Sequence, residues 1–297
     1  MKKAICCALL VIASTIAHSA DKRPKITGID HADFYTTSPE ANARFYMHLL
    51  GLTSGEPLEP GQTQRFLVGE QFVGYRPAPD PSATDRMDHV AFSTNNCAAL
   101  LSYLAAKGVK VPESLSHLQE GSSFFVNDAE GHKIEFVERA IGDTGITGDP
   151  ISHHMIHVGF IVRNRAAEDH FYRDILGFHI YWHGGMKDNE TDWVAMQVPD
   201  GTDWVEYMLN VKPNADLHTT GVMNHISLGV KDIKQAQAKL ESRGWKPRGD
   251  EKTQMGRDGK WQLNLYDPDF TRIELMEFKP VEKPCCSEFQ GPHPSGQ

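Results

Sequence analysis

Cysteine is scarce in this chain, at 5 among 297 residues. Cys6 and Cys7 sit in an apolar N-terminal run, which leaves Cys97, Cys285 and Cys286. Three thiols, two of them adjacent, do not make a disulfide framework, although a single bridge from Cys97 to the tail stays open. Long runs of one charge are also missing. The net charge is -9 and no lysine- or arginine-rich stretch occurs, so nucleic acid is not an expected partner. The apolar run Ala4 to Ala17 is too short to span a membrane, having about 14 residues against the roughly 20 that a transmembrane helix needs.

That run has a different meaning. Lys2 and Lys3 precede it, and the small residues Ser19 and Ala20 follow. A charged start, a short apolar middle and small residues near a cut describe a signal peptide over 1–20, cleaved near Ala20. The alternative is an uncleaved anchor. The mature chain is then expected to be secreted or periplasmic, with no membrane attachment after cleavage. The composition, 40% hydrophobic and 23% charged, suits a globular protein with a real core. The length favours two domains.

Four parts of the chain open in the same way, with a strand carrying a histidine, then a helical pattern, then glycine. The strands begin at Ile26, Met87, Met155 and Met223. In the first, Ser38 and Pro39 suit a helix start, and Gly51 suits its end. Cys97 to Ala106 and Asp232 to Arg243 are expected helices. Strands are expected over Arg65–Val68, Gln71–Tyr75, Ser122–Asn127, Lys133–Glu138, Trp193–Val198, Trp204–Asn210, Gln262–Tyr266 and Arg272–Phe278, with turns at Asp128–Gly131 and Asp267–Asp269. Trp182 to Asp192 reads as a polar rim loop. His31 to Gly51 and His157 to Gly177 are both 20 apart, whereas His89 to Gly108 and His225 to Gly244 are both 19 apart. The chain is therefore an internal duplication of a paired βαβββ unit. The expected organisation is a first domain over 21–140, a glycine-rich linker over 141–152, a second domain over 153–279 and a disordered tail over 280–297.

Each unit places one histidine in its first strand: His31, His89, His157 and His225. A lone strand histidine is ordinarily packed or solvated. Four at equivalent places are different, because an apolar side chain is cheaper to bury than imidazole. The last strands add Glu135, Glu206 and Glu274, each flanked by apolar residues. Period-two alternation turns Trp204, Glu206 and Met208 to one face. A lone strand glutamate reaches water; these keep matched distances from the histidines. His157 to Glu206 and His225 to Glu274 both span 49 residues, and His89 to Glu135 spans 46. Imidazole with carboxylate and no thiolate suits zinc, nickel, cobalt, manganese or iron. His153, His154, His170 and His183 fall outside the pattern and are expected at the surface or behind the ligands.

The strand starts IDHADF, MDHVAF, IHVGFIV and MNHISLGV, the helix ends FYMHLLGL and FYRDILGF, and the strand ends DAEGHKIEFVE and DPDFTRIELMEF resemble the vicinal oxygen chelate superfamily. That superfamily includes glyoxalase I, extradiol dioxygenases, fosfomycin-resistance enzymes and bleomycin-resistance proteins. The resemblance covers about residues 26 to 279. It implies an α+β fold in which four βαβββ modules pair into two cup-shaped mixed-sheet domains, each cup holding a divalent metal on first-strand histidines and last-strand glutamates. His157, Glu206, His225 and Glu274 then match the set of a bacterial-type glyoxalase I. His31, His89 and Glu135 form a first-domain set with no fourth member, because Gln71–Tyr75 offers no glutamate.

The resemblance implies three functions. The first is a metal-dependent lyase or isomerase of the glyoxalase type, acting on a small substrate with adjacent oxygens, with Glu206 or Glu274 moving the proton. Export counts against a glutathione adduct as that substrate. The second is an extradiol ring-cleaving dioxygenase using His157, His225 and Glu274. Its signature places tyrosine three residues before the turn aspartate; here Asn264 stands there, and Tyr266 directly precedes Asp267. The third is a non-catalytic binding protein of the bleomycin-resistance kind, which a full ligand set in the second domain argues against. Trp182, Trp193 and Trp204 are placed either to stack on a ligand or to fill core.

Overall fold

The computed structural model describes residues 22–118, 121–140, 145–249 and 251–296. The signal peptide expected over 1–20, with Cys6, Cys7 and Ala20, lies outside the described residues. So do 141–144 of the expected linker and the last residue of the expected tail.

The fold is α+β, with two curled mixed sheets of eight strands, each built from two βαβββ modules. In the first module, β1 (Ile26–Thr36) is followed by α1 (Pro39–Ala43), β2 (Thr53–Gly55), β3 (Gln64–Val68) and β4 (Gln71–Pro77). The second holds β5 (Met87–Thr94), α2 (Cys97–Ala106), β6 (Ser116–Leu118), β7 (Gly121–Asn127) and β8 (Lys133–Arg139). In the third, β9 (Met155–Ile161) and α3 (Arg165–Asp169) precede β10 (His179–Gly184), β11 (Trp193–Gln197) and β12 (Trp204–Met208). A short α4 (Leu217–Met223) leads into the fourth: β13 (His225–Val230), α5 (Ile233–Ser242), β14 (Thr253–Met255), β15 (Trp261–Tyr266) and β16 (Arg272–Glu277).

The strand orders are β2-β3-β4-β1-β5-β8-β7-β6 and β10-β11-β12-β9-β13-β16-β15-β14. Each histidine strand is therefore central. It runs antiparallel to the other histidine strand and parallel to its own module's last strand. Alternation then sends one set of side chains into the cup and the other into the core. That core runs through both domains; Phe92 of β5 meets Phe178 edge-on with ring centres 5.4 Å apart.

The duplication extends to helix irregularities. Both α1 and α3 widen into π-helix, over Arg44–Leu49 and His170–Ile175, and close with Leu50 N–H on Phe45 O and Leu176 N–H on Phe171 O. Gly51 (φ +70°) and Gly177 (φ +80°) follow in the left-handed conformation that ends a helix. Pro39 opens α1 as expected, but the Ser38 side chain makes no cap bond. Asn96, Asn164, Asp216 and Asp232 do cap their helices.

The domains cap each other. In the β7–β8 turn, Glu130 of the first domain accepts from Arg163 N (2.8 Å) and from Asn164 N at the entry to α3. In the β15–β16 turn, Asp269 of the second domain accepts from Thr37 N (3.0 Å) and Thr36 Oγ1 (2.5 Å) at the entry to α1.

Two expectations change. The rim loop begins later than Trp182, because 179–184 form strand β10, paired with β11. Residues 280–296, expected to be disordered, instead pack along β10. Trp182 Nε1 donates to Cys285 O (3.2 Å), Gln290 N donates to Tyr181 O (2.9 Å), and Gln197 Nε2 donates to Pro292 O (2.9 Å). The composition is poor in apolar residues, but Phe289 and Cys285 bury onto the aromatic face of the second cup. Cys285 and Cys286 are bridged to each other, and Cys97 is free and buried. The bridge from Cys97 to the tail therefore does not form.

Candidate metal centres

The register explains how four distant residues meet. In the second sheet, His157, Ser227 and Glu274 lie in one row across β9, β13 and β16, while Glu206, Gly159 and His225 lie in the next. His157 Nε2 is 3.1 Å from His225 Nε2, 3.3 Å from Glu274 Oε2 and 3.9 Å from Glu206 Oε2. Glu206 Oε2 is 3.5 Å from His225 Nε2. Bonds of about 2.1 Å to one ion put neighbouring donors about 3.0 to 3.4 Å apart, so His225 and Glu274 each stand at ligand spacing from His157, with Glu206 just beyond it from His225. All four sequence-expected residues come together here.

The second cup also opens onto a cavity of about 300 Å³, lined by Glu206, Glu274, Trp182, Trp193, Trp204 and Arg272 among others. A half-buried Arg272 and a buried Lys260 face these carboxylates, and sequence reasoning missed them. Arg272 Nη2 donates to His225 Nε2 at 2.6 Å, taking the lone pair that a metal would need. Lys260, fully buried, has its Nζ 4.6 Å over the Trp204 ring and within 5.2 Å of the rings of Tyr181 and Phe289. Burial, then Arg272, holds both His157 and His225 well below the ordinary imidazole range. Burial, then the Glu274 charge, pushes Glu206 up to about 8, and burial also raises Glu274.

The first cup repeats the geometry with different carboxylates. His31 Nε2 and His89 Nε2 are 3.0 Å apart, and Glu135 Oε2 is 3.3 and 3.5 Å from them. The fourth donor comes from the loop between β2 and β3. Glu59 Oε1 lies 2.7 Å from His31 Nε2 and 3.4 Å from His89 Nε2. Behind the ring nitrogens, Asp30 meets His31 Nδ1 at 2.6 Å and Asp88 meets His89 Nδ1 at 2.7 Å. In the second cup, among the described residues, His225 Nδ1 has only the Met223 carbonyl and His157 Nδ1 has no partner. Burial would lower the first-cup histidines, but Asp30, Glu135 and Glu59 outweigh it at His31, and Asp88, Glu135 and Glu59 raise His89 to about 10.

The register also shows why β4 carries no glutamate. The place of Glu206 is taken by Gly74, and that of Gly159 by Asp33. A Cβ on Gly74 would lie 1.8 Å from Asp33 Oδ1, and one on Gly159 would lie 2.0 Å from His225 Cε1. Each cup admits one carboxylate at this row, on opposite strands. Asp33 pairs with Arg76 at 2.6 Å and also offers an oxygen within 4.8 Å of donors on His31, Glu59 and His89.

Of the remaining histidines, His170 and His153 are exposed, and His183 is half-buried. His154 is half-buried, pairing with Asp203 at 2.7 Å and with Ser295 O of the tail.

The glyoxalase/bleomycin resistance protein/dioxygenase superfamily profile matches residues 28–136 and 154–275, and the chain belongs to that superfamily. No curated protein matches. The chain is similar in fold to a Mn(II)-bound glyoxalase from Novosphingobium aromaticivorans, at 17% identity and TM-score 0.64, over 90% of this chain and 86% of that one. It is also similar to a 2,3-dioxygenase from a Pseudomonas species (16% identity, TM-score 0.63, 92% of this chain and 96% of that one). Homoprotocatechuate 2,3-dioxygenase from Arthrobacter globiformis is a third likeness, at 17% identity and TM-score 0.61, over 86% of this chain and 80% of that one. Among the described residues no helix is long and apolar enough to cross a membrane.

Proposed function

We propose that the chain is a divalent-metal-dependent enzyme acting on a small molecule with adjacent oxygens in the second-domain cavity, by proton transfer of the lyase or isomerase kind. One observation carries this reading. Of the four donors, Glu206 is the one that stands at the open edge, with its side chain 14% exposed against 5% for Glu274. A carboxyl whose hold on its proton is strengthened by burial and by Glu274, standing beside a cavity, suits giving and taking a proton. His157, His225 and Glu274 would hold the ion, which requires Arg272 to release His225 Nε2. When bound, zinc, nickel, cobalt, manganese or iron supplies Lewis acidity toward the substrate oxygens. Trp182, Trp193 and Trp204 wall the cavity and exclude water. Arg272 and Lys260 bring positive charge to the side where an oxyanion develops.

Glu206→Gln is expected to keep the ion and lose about 10²- to 10⁴-fold in turnover. His225→Ala is expected to lose the ion as well. The assay is metal analysis followed by a panel of 2-oxoaldehyde adducts and hydroxy-carbonyl compounds. Turnover unchanged in Glu206→Gln overturns the proton-transfer role.

A second reading is a ring-cleaving dioxygenase. The compact three-donor group of His157, His225 and Glu274 favours it, since these fall within reach of one ion without Glu206. Oxygen consumption with catechols, unaffected by Glu206→Gln, would put it first. Export belongs to the proposal too, and N-terminal sequencing of the mature chain tests cleavage near Ala20.

A further inference from the structure

The two cups differ in a way that separates their roles. The second has a cavity over it and a guanidinium on one histidine. In the first, all four donors are shut in: His31 is 2% exposed, His89 1%, Glu135 0% and Glu59 9%. Five donor–donor separations lie between 2.7 and 3.5 Å, the edges of a coordination polyhedron. Among the described residues, the buried oxygens Glu59 Oε1 and Glu135 Oε2 face only the ring nitrogens of His31 and His89, and Glu135 Oε1 has no hydrogen-bond partner. Native proteins rarely leave such atoms unsatisfied.

The surroundings point the same way. With Asp30 and Asp88 at the Nδ1 atoms, both Nε2 atoms face each other and the glutamates. That is the arrangement in which a carboxylate orients and strengthens a metal-bound histidine. The charges point the same way once both imidazoles are neutral, as metal ligands must be: Asp30, Asp33, Glu59, Asp88 and Glu135 then face only Arg76, Arg139 and Lys133, and one divalent cation balances the two charges left over.

Glu59 is held for this position. Arg76 Nη2 grips Glu59 Oε2 at 2.7 Å and leaves Oε1 aimed at the histidines. The loop is tied down by Leu58 N on Gln62 Oε1 (2.9 Å) and Gln62 N on Glu59 O (3.1 Å).

We propose that the first domain binds its own divalent ion on His31, His89, Glu135 and the loop residue Glu59, and that this ion clamps the loop into the first cup without meeting substrate. The inference is independent of the second-domain reading.

Metal content of the purified mature chain is the test, with Zn²⁺ or Co²⁺ as the ion supplied. Wild type carries two ions per chain, Glu59→Gln one and His225→Ala one. In the Co²⁺-loaded His225→Ala protein, azide leaves the visible spectrum unchanged, because the first site is closed. Chelation of the His225→Ala protein lowers its melting temperature. Wild type holding one ion that disappears with His225→Ala overturns the proposal, as does Glu59→Gln holding two. A spectrum that shifts with azide overturns the closed role. Should Glu59→Gln not fold, the ion count of His225→Ala alone decides: one supports the site and none refutes it. Loss of turnover through Glu206→Gln with both ions retained bears only on the second domain.

Discussion

At the scale of single residues, the two cups trade a glycine for a carboxylate. Gly159 gives His225 room, and Gly74 gives Asp33 room. Gly159→Ala should therefore push His225 out of line and abolish second-site metal binding while the first-cup ion stays, a difference readable in the ion count. Glu206 makes a second prediction. Its folded pKa of about 8 lies above the ordinary 4.5, so the proton it keeps stabilises the metal-free fold below about pH 4.5. That stability is lost as pH rises toward 8, with an upper bound of about 5 kcal/mol. The difference in stability between chelated wild type and chelated Glu206→Gln, from urea unfolding between pH 5 and 8.5, should follow this slope. The histidines and Glu135, Glu206 and Glu274 are legible in the sequence because strands of fixed length repeat their spacing. Glu59 is not, since it sits between prolines in a loop with no periodicity. Lys260 and Arg272 look like ordinary charged residues flanking a strand, and only the curl of the sheet turns them inward.

At the scale of elements, the tail matters more than its composition suggests. Phe289 closes an aromatic cage around Lys260 with Tyr181 and Trp204. Its ring centre lies 4.8 Å from that of Tyr181. Phe289→Ala should cost about 1–2 kcal/mol in urea unfolding, since a half-buried ring loses less than a core one, and it should widen the cavity. The thiols give a separate check. Burial, then the Glu138 charge, pushes the Cys97 thiol up to about 12, so alkylation of the native, reduced protein followed by mass spectrometry should label Cys285 and Cys286 and spare Cys97. The long strands and the helices α2 and α5 could be read from periodicity. The three-residue strands β2, β6 and β14 could not, because they are too short to show alternation. The order of the tail was hidden because it rests on backbone carbonyls and on scattered side chains (Cys285, Ser287, Phe289 and His293), not on a hydrophobic pattern.

At the scale of the whole molecule, the repeat made the paired modules legible, but nothing in it disclosed how the domains join. The joint is reciprocal: Glu130 reaches α3, and Asp269 reaches α1. Tyr75 Oη donates to Asp267 at 2.6 Å, and Tyr172 Oη donates to Asp128 at 3.1 Å, across the same joint. Each domain thus supplies what the other's helix entry lacks, and the apolar core is continuous between them. A chain severed within 145–152 should behave as two fragments that fold only in each other's company. Co-expressed, they should elute as a one-to-one complex by light scattering; expressed singly, each should aggregate. A glutamate answers one entry and a shorter aspartate the other, so the fragments should choose each other over copies of themselves, and a gene duplication that began as a symmetric pair has become a mating of unlike halves.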